Sequence, residues 1–487
     1  MKKYKFFAAL AAAAITFSSC SMDTEPYDQT TTPYTNLKGV ETGLNGAYQI
    51  LAYYPFLGNY AQTMGDFISG VSTGSSSSGH FYSYSSFTFS DTEQEIEDMW
   101  NYGYKAISQS TEAINSANSL IASGAISEEE KPTAYLYEGQ LYTMKALANW
   151  YLVNYFALPY SAANASTPGI IVIDKDVPKP FAHVERGTVQ QTYDQIVKDL
   201  DSAEVAFSKV GNKYKGDNSD ELSTAYYLNP TALKAIEARV YLSLGKYDKA
   251  IEAAKASLAL KDAGTGDSTD TKSPTDSATY VNIWGQVTES DEDIFTLKKS
   301  DNDNLSANSI NTLYGSYYAT IQNNVLAKLA STDIRRKVLR ASAGGGTSSI
   351  KFDGKVSQSV SNVPVIRKSE LSLIIAECEA HLGNIKEAQN YLLYTARRNK
   401  AIKTAADLPQ TTDGLLSFIA DERLREFFGE GHRWFDARRM GLTIQLDGFN
   451  AWDISKFVLP IPAAEINSGA GCTQNANWSD NMPTRSE

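Results

Sequence analysis

The stretch LGKYDKAIEAA, Leu244 to Ala254, decides the fold. Upstream of it, Leu233, Ile236, Val240 and Leu244 recur at three- and four-residue spacing, the period of one face of an α-helix. Asn229 stands where an N-cap accepts an orphaned backbone N–H, and Pro230 occupies the first helical position, where a missing N–H is no loss. Gly245 breaks this helix, after which Tyr247, Ala250, Ile251, Ala254 and Leu258 form the stripe of a second one. The small Ala250 lets the two helices approach closely. A further copy follows the same plan: Leu371, Ile374, Ile375, Cys378 and Leu382 are striped, and LGNIKEAQ from Leu382 repeats the turn. One helical hairpin cannot bury its apolar stripe alone, so such units must stack, and about four pairs is the economical scaffold.

Both turns carry the tetratricopeptide signature. The expected fold is therefore mostly α: a tetratricopeptide-like helical-hairpin scaffold with long irregular loop insertions and a few short strands. Other helices fit around the repeats. Ser127 and Glu130 form a capping box ahead of the stripe Leu141, Met144, Ala148, Tyr151, Tyr155. Thr188 and Gln191 do the same ahead of Val189, Tyr193, Ile196, Leu200 and Phe207. Val40 to Tyr53 and Trp100 to Ile121 are further helix candidates. Two excursions break the pattern. Residues 71–90 are Gly/Ser-rich with aromatics embedded, and residues 261–364 mix strand-like pieces (Asp293 to Lys298, Ser349 to Phe352) with Gly/Ser/Asn loops. Irregular excursions on a rigid scaffold are where binding groups concentrate.

The chain opens with Lys2, Lys3 and Lys5, an apolar run from Phe6 to Phe17, and Ser18-Ser19-Cys20. That run is too short to span a bilayer, and the cysteine after small residues marks a lipoprotein signal peptide over residues 1–19. Cys20 is then the lipidated N-terminus, residues 20–35 a flexible tether, and residues 36–487 a single domain. With 44 basic against 56 acidic residues the chain is acidic, which disfavours nucleic acid as a partner. Cys378 and Cys472 are too few for a disulfide framework, and Cys378 lies on an apolar helix face as a small core residue. The four histidines form no metal-binding spacing, and Asp301-Asn302-Asp303-Asn304 lacks the glycine an EF-hand needs at Ser306. No metal or cofactor is expected.

The run ERLREFFGEGHRWFDARR, Glu422 to Arg439, crowds charges and aromatics together. Glu422, Glu426 and Glu430 fall at helical spacing, interleaved with Arg423, Arg425, Arg433 and Arg439. A glycosidase pair of carboxylates would look similar. So many guanidinium partners argue instead for structural ion pairs that keep each carboxylate ionised, with no group suited to general acid catalysis. His432 reads as a buried, hydrogen-bonding histidine.

This charged run resembles the C-terminal signature of the SusD/RagB outer-membrane nutrient-binding lipoproteins. The resemblance extends to LKGVETGLNGAYQIL from Leu37, MWNYGYKAISQSTEAINSANSLI from Met99, VIRKSELSLIIAECEAHLGN from Val365 and FVLPIPAAEINSGAGCTQNANW from Phe457. It departs at Phe156-Ala157-Leu158-Pro159, where the family more often has glycine after the Phe. What it implies is a non-enzymatic protein on the outer leaflet that captures nutrients, most often oligosaccharides. Such proteins cap a SusC-like TonB-dependent transporter and pass the ligand to it. Asp23 and Glu25 resemble the acidic surface-export tag of related lipoproteins.

Glycan recognition needs flat aromatic faces for the sugar's C–H surface and fixed polar groups for its hydroxyls. The candidates are aromatics in polar loops: His80, Phe81, Tyr82 and Tyr84 in the first excursion, and Trp284, Tyr314, Tyr317 and Tyr318 beside Asn302, Asn304 and Asn308 in the second. The family's layout adds Trp100 and Asn101. The expected protein is a lipid-anchored, cell-surface binder of neutral oligosaccharide. A peptide-binding member of the same kind of uptake system and a secreted glycosidase are the alternatives.

Overall fold

The computed structural model describes residues 34–179, 182–211, 223–262, 275–357 and 359–487. The signal segment, Cys20 and the export-tag residues lie outside these. The striped segments form helices α1 (Leu37–Ala52), α2 (Tyr60–Ile68), α3 (Gln94–Ser123), α4 (Lys131–Phe156) and α5 (Val189–Ser208). They continue with α6 (Pro230–Ser243), α7 (Tyr247–Lys261), α8 (Lys368–His381), α9 (Ile385–Ala396), α10 (Thr412–Phe427) and α11 (His432–Arg439).

Helix α1 pairs with α3, α4 with α5, α6 with α7 and α8 with α9, which makes four pairs. Helix α7 packs on α8, and α10 lies against both helices of the last pair. The two repeat turns behave as their glycines require. Gly245 (φ 66°) and Gly383 (φ 79°) take the left-handed conformation that other residues adopt only under strain. Asn229 Oδ1 accepts from Ala232 N at 3.1 Å, and Pro230 opens α6. At α5 both halves of the capping box form, Gln191 N to Thr188 Oγ1 at 3.1 Å and Thr188 N to Gln191 Oε1 at 2.8 Å.

Three sequence expectations shift. At α4, Ser127 is not the cap: its N–H and hydroxyl both donate to the Glu130 carboxylate, Glu130 takes the cap position, and the helix starts three residues later than a Ser127 cap would place it, with Pro132 in its first turn. Tyr34, assigned to the tether, donates its backbone N–H to Ser116 Oγ at 3.2 Å and lays its ring against Gly43 of α1, so the docked chain already begins there. The strand expected from Ser349 instead runs Thr347–Ser349.

The strands are short and antiparallel: β1 (Ser72–Thr73), β2 (Asp293–Leu297), β3 (Thr320–Ile321), β4 (Leu339–Ala341), β5 (Thr347–Ser349), β6 (Val363–Arg367), β7 (Thr443–Ile444) and β8 (Trp452–Asp453). They pair as β1–β3, β2–β6, β4–β5 and β7–β8. The first pairing joins the two irregular excursions, with Ser72 opposite Ile321 and Thr73 opposite Thr320.

The charged run is largely buried, and the cations that hold Glu426 and Glu430 come from elsewhere in the chain. Arg367, at the end of β6, donates to Glu426 (3.1 Å), Glu430 (2.9 Å) and Glu292 (3.1 Å). Arg335 reaches Asp333 (2.7 Å), Glu422 (2.8 Å) and Glu426 (3.3 Å). Lys351 Nζ donates to Glu430 at 2.7 Å, and Arg398 pairs with Glu426. Of the arginines within the run, Arg425 pairs with Glu422 (2.8 Å), Arg423 with Asp436 (2.7 Å), and Arg439 with both Asp436 and Glu377 (2.8 Å each). His432 is buried and stacks face-on against Phe427 at 4.2 Å. Gly431 (φ 78°) closes the turn between α10 and α11 against α2: a Cβ there would lie 2.0 Å from the Gln62 carbonyl oxygen.

Burial alone would push the Glu426 carboxyl up, but Arg398, Arg367 and Arg335 more than reverse it, to about 2. An exposed glutamate in the unfolded chain titrates near 4.3. A lowered carboxyl stabilises the fold above the unfolded value, and the benefit is lost as pH falls through the folded one. Glu426→Gln, which strands buried guanidinium groups, should therefore cost about 3–5 kcal/mol at pH 7. The gap to wild type in denaturant unfolding should narrow as pH drops from about 4.5 toward 2. Lys38→Ala, in an exposed pair with Glu41, should change stability by about 1 kcal/mol or less.

Candidate functional site

The β1–β3 pairing carries the Gly/Ser loop after β1 onto the segment before β3. Ser78 Oγ donates to the Tyr317 carbonyl at 2.9 Å, and the His80 imidazole stacks on the Tyr317 ring, centroids 3.8 Å apart and planes within 13°. Both rings are half-buried. A chain of further rings leads away from this pair. Tyr60, at the start of α2, lies within electrostatic reach of Tyr317 and meets Tyr54 edge-on at 5.3 Å. Tyr54 contacts Tyr53 at 4.6 Å, and Tyr53 contacts Tyr102 of α3 at 5.6 Å. Lys105 sits over the Tyr102 ring at 4.6 Å.

This line of tyrosines exists because Pro55 ends α1. A π-helical turn over Tyr54–Gly58, kinked at Phe56, turns the chain sharply into α2. The three phenols Tyr53, Tyr54 and Tyr60 are thereby gathered at one corner. Polar groups from the first turns of α3 stand beside them. Asp98 accepts from Gln94 Nε2 at 2.9 Å, and burial raises its pKa from the usual aspartate value. Burial, with Tyr53 and Asp98 adding, raises the Tyr54 phenol as well, so it stays a neutral donor. Asn101 is exposed on the same helix.

The sequence candidates divide sharply. His80, Tyr317 and Asn101 belong to this region and remain accessible; Tyr82 is 42% exposed on its own short turn, and Tyr318 is half-buried with φ 59°. Five others are core residues. Phe81 is buried, stacked on Phe67 at 4.8 Å. Tyr84 is buried and donates its hydroxyl to Glu95 at 3.1 Å. Tyr314 is buried with its hydroxyl 2.7 Å from Ser72 Oγ. Trp100 faces inward, its indole N–H donating to Glu465 at 3.2 Å. Trp284 lies inside the charge network, with Lys351 4.7 Å and Arg367 4.8 Å from its ring. Loop aromatics pull inward here because a Gly/Ser loop has few other apolar groups to close its underside.

Sequence reading missed Tyr53, Tyr54, Tyr60, Tyr102 and Asp98. The signal was present: Tyr-Tyr-Pro at the end of a helical stripe marks a helix stop that strands two large amphipathic rings at a corner. Among the described residues no His/Cys/Asp/Glu group could hold a metal ion, and no helix is long and apolar enough to cross a membrane.

Four stacked helical pairs, with an accessible ledge of tyrosine and histidine rings where two irregular excursions meet, define a tetratricopeptide-like scaffold with one candidate recognition surface. Residues 351–452 match the model of the SusD family, and residues 22–242 match one described as starch-binding, associating with the outer membrane. The chain belongs to the SusD family. Solved structures agree. A SusD superfamily protein from Bacteroides thetaiotaomicron shares 23% identity, covering 90% of this chain and 99% of its own, with a TM-score of 0.76. A putative sugar binding protein from Bacteroides vulgatus shares 22% identity over 92% of this chain and 100% of its own, at 0.78. Another SusD superfamily protein from Bacteroides vulgatus shares 23% over 91% and 100%, also at 0.78. No curated protein matches the sequence.

The burial pattern is checked by labelling. Brief nitration of the native protein, mapped by mass spectrometry, should modify Tyr53 and Tyr82 and spare Tyr84, Tyr155, Tyr280 and Tyr314 until denaturant is added.

Proposed function

We propose that this protein is a cell-surface lipoprotein, anchored through Cys20, that binds neutral oligosaccharides on the Tyr53–Tyr54–Tyr60–Tyr102 and His80–Tyr317 ledge. From there it delivers them to a SusC-like TonB-dependent transporter. The observation that carries the reading is the ledge itself: a contiguous run of partly exposed rings beside Asp98 and the exposed Asn101. Sugar rings offer C–H faces to stack on phenol and imidazole and hydroxyls for carboxylate and amide groups. The acidic chain, with net charge −12, favours neutral over polyanionic ligands. The starch-binding family matched by residues 22–242 and the putative sugar binding protein among the solved relatives support the ligand class.

The mechanism is passive: stack, hydrogen-bond, hold, release. Hydrolysis would need an accessible carboxylate pair with one member protonated near neutral pH. The charged run supplies none, since Glu422, Glu426 and Glu430 are buried and ion-paired. Ordering a flexible sugar offsets much of the contact energy, so affinity should be modest.

Two experiments test the proposal. In calorimetric titration with a panel of neutral oligosaccharides, Tyr54→Ala and Tyr317→Ala should each weaken binding by roughly tenfold, about 1.4 kcal/mol, with unchanged melting. Unaltered binding in both variants, a preference for peptides over sugars, or released reducing ends would contradict it. In cells, Cys20→Ala should move the protein from the membrane fraction to the soluble fraction; retention at the membrane would refute the anchor.

A further inference from the structure

A cavity of about 860 Å³ opens between the turns of the last two helical pairs and the helices α10 and α11. Its volume falls within the range of small-molecule sites, roughly 300–1,000 Å³. None of the ledge residues lines it, so it is a separate feature. Leu244, Leu416, Met440 and Leu442 each leave part of their surface open to it. Tyr247 and His381 form one wall, their rings stacked at 4.3 Å with planes within 4°.

The charges around the cavity cancel, with one exception. Lys328 pairs with Asp421 at 2.7 Å, and Arg439 holds Glu377 and Asp436. Burial lowers the His381 pKa, so that ring is not a competing cation at neutral pH. Arg433 is the cation without a direct ion pair, although Asp436 and Asp421 lie within its electrostatic reach. Its one hydrogen bond is a long one, Nη1 to the Ala420 carbonyl at 3.5 Å, and no carboxylate of the described residues lies within 4 Å of it. A half-buried guanidinium with a free planar fork matches a carboxylate in two parallel hydrogen bonds. Ser243, Ser417, Asn324, Thr443 and Gln445 line other parts of the cavity, but against the Leu416, Met440 and Leu442 surface a hydroxyl would find no partner, whereas an aliphatic group would gain by being covered there.

We propose that this cavity is a second binding site, for a small organic acid whose carboxylate pairs with Arg433 and whose aliphatic body lies against Leu416, Met440 and Leu442. The test is titration of the mature chain with N-acetyl-leucine, N-acetyl-leucinamide and glucuronic acid. The free acid should bind, and the amide and the hydroxyl-rich uronate should bind roughly tenfold or more weakly. Arg433→Gln should weaken the acid by a similar factor, and Leu416→Trp, which fills the cavity, should abolish its binding. Both variants should keep the wild-type melting temperature and oligosaccharide affinity, while Tyr317→Ala should leave acid binding intact. No binding of the acid, equal binding of acid and amide, uronate as tight as the acid, or an undiminished Arg433→Gln would overturn the assignment without touching the ledge.

Discussion

Everything in this fold depends on a cluster of buried ion pairs centred on Glu426. Four cations, Arg335, Lys351, Arg367 and Arg398, converge on Glu292, Glu422, Glu426, Glu430 and Asp333, all of them withdrawn from solvent. Each charge would be prohibitively costly alone; together, with every carboxylate facing a guanidinium or ammonium, they are tolerable. The geometry matters more than the net energy. Arg335, Lys351, Asp333 and Glu292 come from the long excursion, Arg367 from the end of β6, Arg398 from the end of the last helical pair, and Glu422, Glu426 and Glu430 from α10 and the turn after it. The cluster therefore clamps an irregular segment onto a repeat scaffold at a fixed place, and that segment carries Tyr317 to His80.

From this clamp follows the division between structural and accessible chemistry. The most conspicuous carboxylates in the chain are consumed by folding, held ionised by neighbouring arginines, and have no surface from which to act on a substrate. The accessible polar groups that remain are modest: Asp98, Asn101, a few serines and the phenols of the ledge. Such a surface can orient a ligand through stacking and a few hydrogen bonds without the strained or desolvated groups that covalent chemistry requires. A rigid repeat scaffold with a kinked corner is suited to hold and release.

The repeat scaffold was legible in the sequence because its signals are local: stripes, caps and two Leu-Gly turns, whose geometry does not depend on distant partners. The charged run was legible in kind but not in wiring. Its spacing suggested that Glu and Arg neutralise one another within the run, yet Glu426 and Glu430 are held mainly by Arg335, Lys351, Arg367 and Arg398, more than 25 residues away in sequence. The site was legible only in part, for the same reason. Aromatics in a polar loop can point either way, and which way is set by what lies beneath: Phe67 draws Phe81 inward, Ser72 holds Tyr314, and Trp284 packs against the Lys351 and Arg367 cations. Tyr53, Tyr54 and Tyr60 were masked because they sit in or beside helical stripes, where a tyrosine reads as core until the Pro55 kink is seen.

The central claim is spatial: ligand rests on the tyrosine–histidine ledge and nowhere on the buried glutamates. A crystal structure of the protein with a bound neutral oligosaccharide tests it most directly. The account predicts intact sugar, its ring faces against Tyr54, Tyr60 or the His80–Tyr317 pair and its hydroxyls toward Asp98 and Asn101. Sugar seated in the groove of the helical pairs, or found cleaved beside Glu422 or Glu430, would contradict it.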